Sequence, residues 1–359
     1  MQADPLDSSA RRPATGRRPG GDERQRPVAA IDLGSNNCRL LVARPNGGGF
    51  HVIDAFSRIV RLGEGVGHTG LLSPAAIERC LEALSVCAAK MRRRGVGRHR
   101  AVATEACRRA GNFKAFKDRV TDVTGIALEV ISPGEEARLA LKGCAELLDP
   151  GLPRALMFDI GGGSTELIWL RVDGDRRARP SVIDAVSLPL GVVLLAERHG
   201  GDRVPAEAYE AIVAETRQSL ENFDRRHGIG QMIAQGRVQM IGSSGTVTTL
   251  AGIFQGLKRY DRSLVDGSFL DFCEVARISR ELCELDFDGR AAHPCIGRDR
   301  ADLVVGGCAV LEAICRQWPV GRLRIGDRGV REGILLDLIA GRRGRPLGPR
   351  QAVHPPASV

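Results

Sequence analysis

The chain has 359 residues, 43% of them hydrophobic and 26% charged, which is long enough for two domains and unlike a disordered chain, a collagen repeat or a coiled coil. Its formal net charge is +9, and with only five lysines among 52 Lys+Arg the cations are overwhelmingly arginine. The Arg-, Pro- and Gly-rich ends, 1–26 and 341–359, read as disordered tails and hold +6 of that charge, so the folded part carries too little to argue for a nucleic-acid groove.

Between the tails, a short apolar run at 28–32 predicts a buried strand, 38–43 a second strand after a polar turn, and 49–62 a third extended stretch. Ser73 and Pro74 then open a helix, the serine as cap and the proline at its first position, and Ile77, Leu81, Leu84, Ala88 and Met91 repeat at helical spacing. Residues 99–106 read as a fourth strand, 113–124 as a helix, 126–131 as a fifth strand and 135–148 as a helix, giving β-β-β-α-β-α-β-α. The pattern restarts with strands at 155–160, 165–172 and 181–188. At an offset of 127 residues Asp32, Gly34, Ser35, Asn36 and Arg39 fall on Asp159, Gly161, Gly162, Gly163 and Glu166 without a gap. This is an internal duplication of a strand-turn-strand unit at the head of two α/β domains.

The repeated unit has the chemistry of a phosphate site. A carboxylate at a strand end, followed by a turn of Gly, Ser, Asn and Thr, exposes backbone N–H groups and hydroxyls in one concavity. Asp32 and Asp159 would repel phosphate unless a divalent cation or its water shell lies between, although each could instead fix its own turn by an Asx hydrogen bond. A third loop, Gly242, Ser243, Ser244, Gly245 and Thr246, runs from a strand at 238–242 into a helix at 246–257, whose free amides could receive an anion. Its plain alternative is a simple connection. A fourth, 323–333, is a strand-turn-helix carrying Arg328 and Arg331. No GxxxxGK(S/T) loop is present, which excludes a P-loop, and no GxGxxG after a strand with a downstream acid supports a dinucleotide fold.

The runs AAIDLGSNNCRLLVA, AVATEACRRAGN, ISPGEEARLALKG, MFDIGGGSTELIWL, SLPLGVVLLAER, MIGSSGTVTTLAG and RIGDRGVREGILLDLI, in that order, resemble the Ppx/GppA family of exopolyphosphatases and guanosine pentaphosphate phosphohydrolases. The resemblance implies two actin-like, ribonuclease H-like α/β domains, 27–150 and 151–330, around a cleft, with a helix at 331–340 packing back on the first. It implies that water attacks the terminal phosphate of polyphosphate or guanosine pentaphosphate. Glu136 is then the general base. The phosphate binders are Gly34, Ser35, Asn36, Arg39, Arg108, Gly161, Gly162, Gly163, Ser164, Thr165 and the Gly242–Thr246 loop, while Asp32, Asp159 and Glu166 hold Mg²⁺ or Mn²⁺. Arg138 and the Arg328–Arg331 segment are expected near the same cleft.

Gly326 stands where the family has serine, so no side-chain role passes to it. The length implies the short two-domain form, for which homodimers are common. The ten cysteines show no CxxC pair and read as reduced. No apolar run reaches the roughly 18 residues of a membrane span, and the N-terminus has no signal-like segment, so the expectation is a cytoplasmic protein without membrane or specific nucleic-acid partners. The rival readings are an actin-fold small-molecule kinase and a non-catalytic sensor of phosphorylated ligands.

Overall fold

The computed structural model describes residues 26–47, 49–174 and 180–341; the expected disordered tails lie outside these residues except for Arg26 and Gly341. Two mixed sheets form the framework. In the first, β1 (Val28–Leu33), β2 (Asn37–Asn46), β3 (Gly49–Ile59), β4 (Arg98–Ala103) and β5 (Leu128–Val130) stand in the order β3-β2-β1-β4-β5. In the second, β6 (Arg154–Ile160), β7 (Thr165–Arg171), β8 (Ser181–Leu188), β9 (Val238–Ser243), β10 (Phe269–Asp271) and β11 (Arg322–Gly326) give β10-β11-β9-β6-β7-β8. Read from the other side, the second order is the first plus one added edge strand. The hairpins are antiparallel and the β1–β4 and β6–β9 pairs parallel, so each half has the actin-like topology.

This topology places the repeated turns. The antiparallel register sets Asp32 opposite Arg39 and Asp159 opposite Glu166, the same pair of positions in the two halves. Each Asp also ends a strand that runs parallel to the next, β4 or β9, which leaves a crevice beyond the carboxyl ends of the strands.

Several boundaries differ from the sequence reading, and two of them bear on the site. The strand expected at 99–106 stops at Ala103, and Glu105–Arg109 is a helix whose Ala106 amide donates to Ser35 Oγ at 3.2 Å. A hydrogen bond to the first turn thus competes with strand extension. The helix expected from 135 begins at Pro133, because Ser132 caps it by accepting from the Glu135 amide at 3.2 Å and proline suits the first position. It ends at Cys144, followed by a 3₁₀ turn at Ala145–Leu147.

Each sheet has its own core, around Leu40, Leu84 and Phe116 in the first half and Phe158, Trp169 and Trp318 in the second. The chain crosses back at its end. Helix Val330–Ile339 buries Ile334, Leu335 and Leu338 against Val28, Ala30, Leu41 and Leu139 of the first half. At about 1.5–3 kcal/mol for each large apolar side chain, that is a firm anchor. Gly143 and Gly333 let this helix and helix Pro133–Cys144 touch backbone to backbone: a Cβ on either would stand 2.1 Å or 2.0 Å from a carbonyl oxygen of the other segment. Asp337 receives both Arg138 and Lys142 at the same contact. Among the described residues no helix is long and apolar enough to cross a membrane.

Candidate active site

The two glycine turns meet face to face. A Cβ on Gly162 would lie 2.9 Å from the Asn36 Cβ, and one on Gly163 would lie 2.6 Å from Ser35 Oγ, so only glycine lets the second turn abut the first. Between them lies a cavity of about 130 Å³, walled by Asp32, Gly34, Ser35, Asn36, Arg39, Glu105, Glu136, Asp159, Gly161, Gly162, Gly163, Ser164, Glu166, Ser244, Gly245, Thr246 and Arg300. It shares Asp32, Arg39, Asp159, Ser244 and Arg300 with an outer chamber of about 760 Å³ that also takes in Ser243, Arg328 and Arg331.

Most residues singled out in the sequence therefore line the cavity or the outer chamber, and four do not. Gly242 lies under the turn, packed so that a Cβ would meet the Phe158 ring at 2.7 Å. Thr165 is buried and donates to the Leu190 carbonyl at 2.6 Å. Arg108 is off the cavity wall, with Nη1 bonded to Glu136 Oε2 at 2.7 Å. Arg138, expected near the cleft, turns away to Glu135 and Asp337. Glu105 and Arg300 were missed, and no local pattern marks either.

The cavity wall presents donors without acceptors. The amides of Ser35, Asn36, Gly162, Gly163, Gly245 and Thr246 donate no hydrogen bond among the described residues. Buried N–H groups are rarely left so, and six around one cavity form an anion nest. The side chains of Arg39, Arg300 and Arg331 likewise make no hydrogen bond or ion pair within the described residues. Burial and the neighbouring Arg39 charge lower the pKa of both Arg300 and Arg331, against the pull of nearby carboxylates, among them Asp327 on both and Asp32 and Glu332 on Arg331.

The acids converge on the same space. Burial, with the neighbouring Glu166 charge, raises Asp159 to about 7 and Glu136 to about 8; Arg108 pulls Glu136 back down. Burial also raises Asp32, against the opposing pull of Arg39 and Arg331, and raises Glu166, whose Oε1 accepts from Ser164 and Ser187 hydroxyls at 2.6 and 2.8 Å. Among the described residues no three His, Cys, Asp or Glu side chains form a cation cage. The Ser164 and Ser187 hydroxyls engage Glu166 through Oε1 alone. Buried acceptors at Asn36 Oδ1 and Asn37 Oδ1 have no donor. An oxygen-only donor set of this kind suits a hydrated Mg²⁺ or Mn²⁺ that keeps its waters and takes further oxygens from a phosphate.

Comparison with known proteins agrees with this geometry. The profile of the Ppx/GppA phosphatase family matches residues 41–341. Exopolyphosphatase 2 of Mycobacterium tuberculosis is 32% identical over 329 residues, covering 87% of this chain and 98% of that protein. Among solved structures, the Aquifex aeolicus member of the Ppx/GppA family superposes with a TM-score of 0.71 at 28% identity, covering 88% of this chain and 98% of the other. An exopolyphosphatase-like protein superposes at 0.78 with 30% identity, covering 87% and 97%. The duplicated turns, the cleft between them and these likenesses agree: the chain belongs to the Ppx/GppA phosphatase family.

Proposed function

We propose that the chain is an exopolyphosphatase, which removes terminal orthophosphate from inorganic polyphosphate by attack of water. The observation that carries this reading is the run of unpaired Arg331, Arg300 and Arg39 leading from the outer chamber to the small, amide-lined inner cavity. A chain of phosphates offers one anionic group to each station along that path, and the small amide-lined end receives the terminal one. The outer chamber has one aromatic side chain, Tyr260, whose hydroxyl is bonded to Asp327, so a guanine base would find no pair of rings to stack between. This favours polyphosphate over guanosine pentaphosphate.

In this reading the free amides of both turns and of Gly245–Thr246 bind the terminal phosphoryl oxygens, and the arginines offset the charge that spreads over them in the transition state. Glu136, on the cavity wall, orients the attacking water and takes its proton. Asp32 and Asp159 would hold Mg²⁺ or Mn²⁺ through its water shell, and a bound cation would offset phosphate charge. Closing the cleft excludes every other water, so hydrolysis is confined to the positioned one.

The test is phosphate release from polyphosphate and from guanosine pentaphosphate, with and without Mg²⁺, by the natural protein and Glu136→Gln. Release from polyphosphate that falls at least 10²-fold in Glu136→Gln is expected. Binding of polyphosphate without release by the natural protein would overturn the enzyme reading, and full release by Glu136→Gln would overturn the base.

A further inference from the structure

Arg108 belongs to a chain of charged groups that ends on the base. Its Nη1 donates to Glu136 Oε2 at 2.7 Å and to the Ile131 carbonyl at 3.0 Å, and its Nε donates to Glu105 Oε2 at 3.1 Å. Nη2 also lies 3.0 Å from Glu105 Oε2. The guanidinium is therefore hydrogen-bonded through Nε and Nη1, while Nη2 is buried and makes no hydrogen bond among the described residues, and the side chains of Arg108, Glu105 and Glu136 are 14%, 18% and 14% exposed. Among the described residues no hydrogen bond reaches Glu136 Oε1, on the side chain that lines the inner cavity.

The other end of this chain is anchored on both turns. Glu105 lines the cavity and sits against Gly163, where an added Cβ would stand 3.2 Å from Glu105 Cγ. The next residue, Ala106, donates its amide to Ser35 Oγ. Glu105 and Arg108 share one short helix between these anchors, so the place of the guanidinium is set by where the two turns lie. An arginine that served the phosphate directly would present free donors to the cavity, as Arg39, Arg300 and Arg331 do. Arg108 lies off the cavity wall and presents Nη1 to the Glu136 carboxylate instead, and a charge-assisted bond of this length fixes the orientation of its acceptor.

We propose that Arg108, braced by Glu105 and the Ile131 carbonyl, is a positioning residue that holds Glu136 by Oε2 so that Oε1 faces the attacking water. The inference rests on Glu136 being the base. It departs from the sequence expectation that Arg108 binds phosphate, because it acts through Glu136 and touches no substrate.

Steady-state phosphate release from polyphosphate by Arg108→Ala, Arg108→Lys, Glu136→Ala and the double variant, with polyphosphate binding to Glu136→Ala and to the double variant, tests it. Arg108→Ala is expected to lower kcat about 10²-fold with KM within threefold, as for a misplaced catalytic group, and Arg108→Lys to recover about tenfold of that loss. In the Glu136→Ala background, Arg108→Ala should cost less than threefold more in kcat and leave binding unchanged, since residues acting through one another are not additive. A fold-loss from Arg108→Ala as large in that background as in the natural protein, or binding tenfold weaker in the double variant, would overturn the inference in favour of direct phosphate contact. The binding measurement decides the matter even where rates are too low to read. Undiminished release by Glu136→Ala alone is the separate outcome that would remove the base on which the inference rests.

Discussion

Replacing Gly333 by alanine is a sharp test of how this fold positions its chemistry. Gly333 is buried, and its added Cβ would stand 2.0 Å from the Leu139 carbonyl oxygen and 2.8 Å from the carbonyl carbon. Cβ contacts under 3.0 Å are essentially never seen, so helices Val330–Ile339 and Pro133–Cys144 must separate by about 1 Å. Alanine is the better helix former by about 1 kcal/mol, and taken alone that would stabilise the variant. Against it stand the overpacking cost of about 1–3 kcal/mol and the partial unseating of Ile334, Leu335 and Leu338. The net expectation is a loss of about 1–2 kcal/mol. Whichever helix yields, a charged group at the cavity moves: Glu136, one turn before Leu139, or Arg331, two residues before Gly333. A displacement near 1 Å costs about 10²-fold in rate, so kcat/KM for polyphosphate should fall by that order. A fall in kcat reports movement of the Glu136 helix, and a rise in KM movement of the Arg331 helix. Urea unfolding followed in parallel measures the stability change. A Gly333→Ala protein as stable as the natural one, with kcat/KM unchanged, would refute the claim that this backbone contact sets the geometry of the cleft.

Three other outcomes follow from the same coordinates. Arg331 has no hydrogen bond or ion pair within the described residues and lies near Arg39, so Arg331→Met should stabilise the ligand-free protein by about 1 kcal/mol while raising the KM for polyphosphate about tenfold; a destabilised variant with unchanged KM contradicts it. Arg61 forks onto Asp302 at 2.8 and 2.9 Å from a backbone with φ 45°, and its amide donates to the Asn36 carbonyl of the first turn. Its side chain is one third exposed, so a double-mutant cycle with Arg61→Ala and Asp302→Asn should give a coupling of about 1 kcal/mol that shrinks with salt, and a coupling below about 0.3 kcal/mol denies a link between the halves. Finally, the folded chain raises Asp159 to about 7 and Glu136 to about 8, above ordinary carboxyl values. The folded state therefore binds more protons than the unfolded one, and stability from these groups is full below about pH 4 and lost as pH rises through 7 and 8. Without divalent cation, Tm should fall from pH 5 to pH 8, less steeply in Asp159→Asn, and Mg²⁺ should raise Tm at pH 8 far more than at pH 5; equal Mg²⁺ shifts at both values count against a cation beside these acids.

Much of the site was readable because its chemistry is local. A carboxylate at a strand end followed at once by small turn residues is contiguous in the chain, and so is its repeat at Asp159–Ser164. The antiparallel hairpin that follows each turn fixed the pairing of Asp32 with Arg39 and of Asp159 with Glu166 across neighbouring strands. What depends on distant segments was not readable. Arg300 reaches the cavity from the 3₁₀ turn Arg298–Arg300 in the second half, and nothing in its neighbourhood distinguishes it from other surface arginines. Arg108 was legible as a motif arginine but not as a partner of Glu136, because the two are 28 residues apart and meet only where β4 and β5 end side by side. Thr165 and Gly242 fitted the pattern of phosphate-turn residues, yet their directions were decided by the Leu190 carbonyl and the Phe158 ring. The sequence by itself determined the two nests and the acids beside them, since hydrogen-bonding capacity and strand period travel with the residues. Only the tertiary structure decided that the nests face one another across about 130 Å³, which arginines lack partners there and which is held by the base, because those depend on how two separately folded sheets and a returning helix pack together.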